Sequence, residues 1–312
     1  MKWIAGLFIA VAIVPGMARA QQTTYGGAYY PTYGSPNSLQ FQAAKTALDL
    51  ETVDPEGDAR LGPEGDSDTI GGAFTYWGVP GETGERYDAH YQHARRVFKG
   101  SRARLVIDAP VNVIQAGTIT SAFGSEKGAT AVLGTVNVGL EMPVLPNWLI
   151  TPRVAYGVAG AGGFFGGNGE LATASLSSRY QIRQIGRGDL IIGNSVSYTH
   201  SAKILTSQDF FAPTINWVFR NGLAYQLPLK SRMFGRQSSL RASYVYTVTT
   251  GDPVTYKHEH EAGLSIGVRT REAEQKNGFE QLRVGLLYTH SHFAYVANSG
   301  YDSATLTLGY RF

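Results

Sequence analysis

The sequence predicts an all-β chain: a closed antiparallel barrel that crosses a membrane on its strands. Three observations predict it. Along most of the chain, apolar and polar residues alternate with a period of two, which is a strand with one apolar face. The polar phase of those segments repeatedly carries arginine. Beyond Ala20 no run of about 18 apolar residues occurs, so the exported chain has no membrane-spanning helix.

The export signal comes first in the chain. Met1-Lys2 is a short basic start, and Trp3 to Ala18 is almost wholly apolar. Ala18-Arg19-Ala20 supplies a small-x-small cleavage pattern, which places the cut after Ala20. Pro15-Gly16 breaks the apolar run, so it is short for a spanning helix. The 312 residues hold no cysteine. That excludes disulfides, thiolate metal sites and cysteine nucleophiles, and suits an oxidising compartment. A net charge of +3 without a basic cluster argues against nucleic acid as a partner.

The alternation is clearest in the second half. Ser239–Val248 sets Leu240, Ala242, Tyr244, Tyr246 and Val248 against Arg241, Ser243 and Thr247. Ala262, Leu264, Ile266 and Val268 oppose Glu259, Glu261, Ser265 and Arg269. Leu282, Val284, Leu286 and Tyr288 oppose Arg283 and Gly285. Earlier, Trp148, Ile150, Val154 and Tyr156 oppose Thr151 and Arg153, and Leu105, Ile107, Ala109 and Val111 oppose Arg104 and Asp108. An arginine facing the bilayer midplane costs roughly 2–4 kcal/mol. A few such errors would exceed a folding stability of about 5–15 kcal/mol. The arginine phase therefore faces inward, and the sheet must close because an open edge in lipid leaves backbone groups unpaired.

This reading predicts a charged lumen lined by Arg104, Asp108, Glu141, Arg153, Arg179, Arg220, Arg241, Glu259, Glu261, Arg269, Arg283 and Arg311. Trp148, Tyr156, Tyr198, Trp217, Tyr225, Tyr244, Tyr288 and Tyr310 take the outward phase, as aromatic girdles at headgroup level do. Asn194 breaks the apolar phase of its strand.

Strand segments fall at 71–79, 86–98, 103–116, 130–142, 148–160, 170–184, 189–200, 214–227, 238–249, 256–270, 279–291 and 302–312. That makes about twelve strands, or ten if the first two segments are not strands. The short connections 99–102, 143–147 and 185–188 fit periplasmic turns; 117–128, 160–169 and 201–213 fit longer outer loops. Pro228–Gln237 and Arg271–Gly278 read as connections long for a periplasmic turn. Asn221-Gly222 is a hairpin signal. A turn there would leave Thr214–Arg220 shorter than the 9–11 residues of a tilted spanning strand, so one continuous strand is expected.

The chain ends Ala304-Thr305-Leu306-Thr307-Leu308-Gly309-Tyr310-Arg311-Phe312. Leu306, Leu308, Tyr310 and Phe312 share one phase. This terminal aromatic, with hydrophobic residues at every second position before it, resembles the C-terminal assembly signal of Gram-negative outer-membrane barrels. The resemblance implies an outer-membrane location. It also implies outer-membrane lipids, the barrel-assembly machinery and periplasmic chaperones as partners.

Ahead of the barrel, assigned to 71–312, lies an arm at 21–70. Gln21–Pro36 is low in complexity and lacks core formers. Ser38–Glu51 reads SLQFQAAKTALDLE, a short candidate helix with cap residues before it. Thr52–Thr69 is an acidic, glycine-rich linker. A helix, a linker and a barrel of about twelve strands resemble the translocator unit of autotransporters, in which a helix threads the pore. There is no room for a large passenger domain, so the likeness is to a solitary barrel of that type. The alternative is an arm in the periplasm.

Chemistry is sparse. His200-Ser201 and His290-Ser291-His292 set histidine beside serine, but adjacent strand residues point to opposite faces. A serine nucleophile needs its base within hydrogen-bond reach. His258, His260 and the acidic stretch 54–68 lack metal-ligand spacing. No cofactor, metal site or catalytic residue is expected. The expected role is a structural barrel or a small pore or translocator; the alternative is an enzyme acting on lipid or lipopolysaccharide.

Overall fold

A computed structural model describes residues 66–79, 82–99, 101–121, 124–161, 167–203, 214–251, 256–268, 282–293 and 300–311. The export signal, the candidate helix at 38–51, Arg269 and Phe312 lie outside the described residues.

Twelve antiparallel strands form one closed barrel: β1 (Ser67–Val79), β2 (Glu82–Arg96), β3 (Arg104–Ser121), β4 (Gly124–Leu145), β5 (Trp148–Ala161), β6 (Gly167–Ile185), β7 (Gly188–Lys203), β8 (Thr214–Met233), β9 (Arg236–Gly251), β10 (Tyr256–Val268), β11 (Leu282–Phe293) and β12 (Gly300–Arg311). Each strand pairs with its sequence neighbours. The ring closes between β1 and β12, from Thr69 opposite Arg311 to Gly78 opposite Asp302. Closure removes the free edges that lipid would leave unsatisfied. Every strand reaches the length a tilted membrane crossing needs.

The two faces follow the alternation. On β12, Ser303, Thr305 and Thr307 are buried inside while Leu306, Leu308 and Tyr310 are exposed outside. On β11, Arg283, Thr289 and Ser291 point in, and Leu282, Val284, Leu286 and Tyr288 point out. The usual soluble arrangement is thus inverted. The described interior is mostly serine, threonine, arginine and glutamate, and the exterior is a belt of aliphatic and aromatic side chains. That inversion is stable only if the surroundings are lipid.

The short turns at 146–147, 186–187 and 234–235 share one rim with the start of β1 and the end of β12. This is the periplasmic rim, where such barrels keep short turns. The β8–β9 turn has positive φ at both Phe234 (54°) and Gly235 (72°), the primed geometry that matches strand twist.

Two expected connections are largely ladder. β3 and β4 stay paired as far as Ser121 opposite Gly124. β8 runs on to Met233, which pairs with Arg236 beyond a register shift between Pro228 and Arg232. Both stretches are polar or hold a proline, which reads as loop. Strands that project past the apolar belt need no apolar face, and the bulge absorbs a residue that cannot donate. Asn221-Gly222 lies within β8, paired to Asn194 and Gly193.

Candidate functional site: a charged lumen

Strand parity sets the inward arginines, and cross-strand register sets their partners. Arg104 on β3 stands opposite Glu141 on β4. Its Nη2 lies 2.5 Å from the Glu141 carboxylate, and Glu141 is 1% exposed. Arg220 on β8 spans β9 to reach β10. It donates to Thr247 Oγ1 at 3.3 Å and to Glu261 Oε2 at 2.6 Å. Both side chains of that ion pair are 4% exposed. An arginine can bridge two strands because its fork presents several donors on a long stem.

The neighbouring interior is built the same way. Arg283 on β11 donates to Ser265 on β10 at 3.0 Å and to Ser239 on β9 at 3.1 Å. Arg241 holds Gln226 Oε1 at 2.7 Å. Ser291 donates to Glu259 Oε2 at 2.7 Å, inside the barrel. Between β3 and β4, Asn137 donates to Asp108 at 3.0 Å, and on β2 Arg86 pairs with Asp88 at 2.8 Å. Arg153 and Arg179 are also buried, at 7% and 2% exposure. Removing one member of such a buried pair leaves a charge without compensation, at roughly 3–5 kcal/mol. Each pair therefore stiffens the wall.

Of the residues expected to line the lumen, Arg104 meets Glu141 and Arg220 meets Glu261. Glu259 meets Ser291, and Asp108 meets Asn137. Arg241 bonds Gln226, and Arg283 bonds Ser265 and Ser239. Arg311 contributes backbone to β12 opposite Thr69. Sequence reasoning missed Arg86, Asp88 and Trp77. Trp77 is 1% exposed inside the barrel. Its ring lies over Gly84, where an added Cβ would meet it at 2.1 Å. The sequence signal for this would have been a glycine recess facing an aromatic on the next strand, and it needs the register to be seen.

The histidines flagged beside serine do not make a catalytic pair. His290 is on the outer surface, bonded to Asp302 at 2.8 Å, while Ser291 is fully buried inside. His200 faces outward between Ala172 and Ile215. His258 and His260 are outside too, bonded to the hydroxyls of Tyr246 (2.8 Å) and Tyr244 (2.7 Å). They sit near the outer rim with His292, where polar rings meet headgroups. Among the described residues, no group of three side chains could hold a metal ion.

Three solved structures share this architecture. The β domain of the Bordetella autotransporter BrkA matches with a TM-score of 0.53 at 10% identity, over 79% of this chain and 99% of that one. The translocator domain of the autotransporter NalP from Neisseria meningitidis matches with 0.54 at 12%, over 88% and 95%. The transport unit of the autotransporter AIDA-I from Escherichia coli matches with 0.51 at 15%, over 91% and 100%. The fold is that of an outer-membrane β-barrel. At these identities the likeness is one of fold. No protein-family model and no curated protein matches this outer-membrane barrel.

Proposed function

We propose that this outer-membrane barrel is a translocator-type pore whose lumen is occupied by the chain's own N-terminal segment, Ser38–Glu51. The observation that carries the proposal is the burial of long inward side chains. About eight strands enclose a space that side chains just fill, and the enclosed width grows with strand number. Here twelve strands surround Arg241 and Arg283, yet these are only 1% and 2% exposed. An occupant of the lumen accounts for that burial.

Charge supports the same occupant. Among the described residues, Arg86, Arg104, Arg153, Arg179, Arg220, Arg241 and Arg283 outnumber the inward carboxylates Asp88, Asp108, Glu141, Asp189, Glu259 and Glu261. The segment ahead of the barrel carries Asp49, Glu51, Asp54, Glu56, Asp58 and Glu64 against Lys45 and Arg60, with most of the acidity in the linker after Glu51. Asp66 already meets Arg95 and the Arg96 amide at the periplasmic rim, where the chain enters the wall. Like-signed rings in a pore select the opposite ion. An emptied lumen should therefore pass anions over cations.

Planar-bilayer recording on full-length protein and on a variant lacking residues 38–51 tests this. The deletion should raise conductance several-fold and reveal anion preference. Unchanged conductance from a variant whose heat-modifiable gel shift shows a folded barrel would remove the reading.

A further inference from the structure

The outer wall carries a polar defect that the pore does not use. Asn194 on β7 and Asn221 on β8 are direct cross-strand partners on the exterior face. Their depth follows from the aromatic girdles. Four residues above them in the ladder, Tyr198 stands opposite Trp217, with the two rings 5.0 Å apart. Four residues below, Leu190 stands opposite Tyr225, whose hydroxyl reaches Ile185 O at the periplasmic turn. At about 3.3 Å per residue and a tilt of about 40°, each girdle lies on the order of 10 Å away. The two carboxamides therefore sit at the middle of the apolar belt.

Among the described residues, no hydrogen bond reaches either amide side chain. Ser178, which flanks Asn194 on β6, already accepts from Trp148 Nε1 at 2.8 Å. One bond between the two asparagines would leave most of their donors and acceptors unused, since each offers two N–H groups and a carbonyl. Acyl chains offer nothing to bond.

We infer that this face is a self-association surface, and that its occupant is a second copy of the chain. A carboxamide is self-complementary, donor to acceptor and acceptor to donor. Two copies inserted with the same topology relate by a two-fold axis along the membrane normal, which brings identical surfaces together. That axis preserves depth, so each asparagine pair meets its counterpart at the same level. Ile192, Val196, Phe219 and Leu223 surround the pair and supply the apolar contact.

The chain has no cysteine, so a single engineered thiol reports on one place. Asn221→Cys in full-length protein, oxidised in native outer membranes, should give a product of twice the monomer mass. Phe74→Cys is the matched control. It lies mid-strand on the exterior of β1, on a different side of the ring. In mild detergent, Asn194→Leu/Asn221→Leu should raise the dimer dissociation constant on the order of tenfold, as expected for losing interchain polar bonds in a membrane. The heat-modifiable gel shift confirms folding of each variant, and Asn194→Cys replaces Asn221→Cys if the latter misfolds. Cross-linking no greater than at Phe74→Cys overturns the inference. So does a cross-link to a chain of different mass, or a leucine variant that dimerises as before.

Discussion

The C-terminal strands β9–β12 and the N-terminal hairpin β1–β2 solve the same problem differently. In β9–β12 the division is sharper: arginine, serine and glutamate face in with Val245 among them, and leucine, valine and tyrosine face out, with His258, His260, His290 and Asp302 toward the outer rim. In the hairpin the largest apolar side chain, Trp77, faces in over Gly84, and His90 occupies the recess at Gly71. Its exterior carries charge: Glu85 bonded to Tyr87, Asp68 to Tyr91 and His93, and Arg95 near Asp66. Those charges lie toward the strand ends, at headgroup level, while Ile70 and Phe74 keep the exterior apolar between them. The rule is the same in both regions. The outer face must be apolar only where it meets acyl chains, and the inner face need only be filled and satisfied.

The largest expected effect tests whether the two regions are equal partners in closing the ring. β12 pairs with β1 along most of its length, with Leu306, Leu308 and Tyr310 exposed outward. Deleting Phe312 removes roughly 1.5–3 kcal/mol of apolar burial, which alone need not unfold a barrel. If the terminal aromatic is what the assembly machinery reads, most of the folded, heat-modifiable form should vanish from the outer-membrane fraction. Single substitutions in the β1–β2 connection at the outer rim should leave that form near normal. Normal folded levels without Phe312 would show that the terminus is not a special signal.

The next effect contrasts ion pairs. Arg220→Ala removes the 2.6 Å ion pair to Glu261, which is 3% exposed, and should cost about 3–5 kcal/mol in denaturant unfolding from lipid vesicles. Arg95→Ala breaks a pair 3.7 Å long with side chains 73% and 55% exposed, and should cost less than about 1 kcal/mol. Equal losses would mean that the C-terminal lumen is as well solvated as the hairpin's rim.

The same contrast explains what could be read from the sequence. Twelve strands and the faces of β9–β12 were legible because apolar and polar residues alternate there over most of each strand. The first strand was placed at 71–79 and the second at 86–98, against Ser67–Val79 and Glu82–Arg96. In β2, Glu85, His93 and Arg95 put polar residues on both phases, which erases the period that marks a face. The inward pair Arg86–Asp88 was lost for that reason. Partners were less legible than faces. Alternation puts Arg220 and Glu261 on one phase, but that they meet depends on a register across three strands. Short and long connections were confused wherever polar strands continue past the membrane, as at 117–128 and Pro228–Gln237.

The smallest effect concerns the recess itself. A methyl group at Gly84 would lie 2.1 Å from Trp77 Cζ2 and 2.5 Å from the Gln115 carbonyl oxygen. The first neighbour is a side chain that can swing, but the second is backbone of β3 and cannot. Gly84→Ala should therefore cost about 1–3 kcal/mol, the usual range for overpacking, and should shift the tryptophan fluorescence. Gly134 on β4 is the control, because an added Cβ there meets nothing within 4 Å. Gly134→Ala should be neutral or should stabilise by up to about 1 kcal/mol, by restricting the unfolded chain. Adding Trp77→Ala to Gly84→Ala should recover only the side-chain part of the clash, so the two changes will not be additive. If Gly84→Ala unfolds at the same denaturant concentration as Gly134→Ala, Trp77 does not lean on that recess. The hairpin would then be held by its ladder alone.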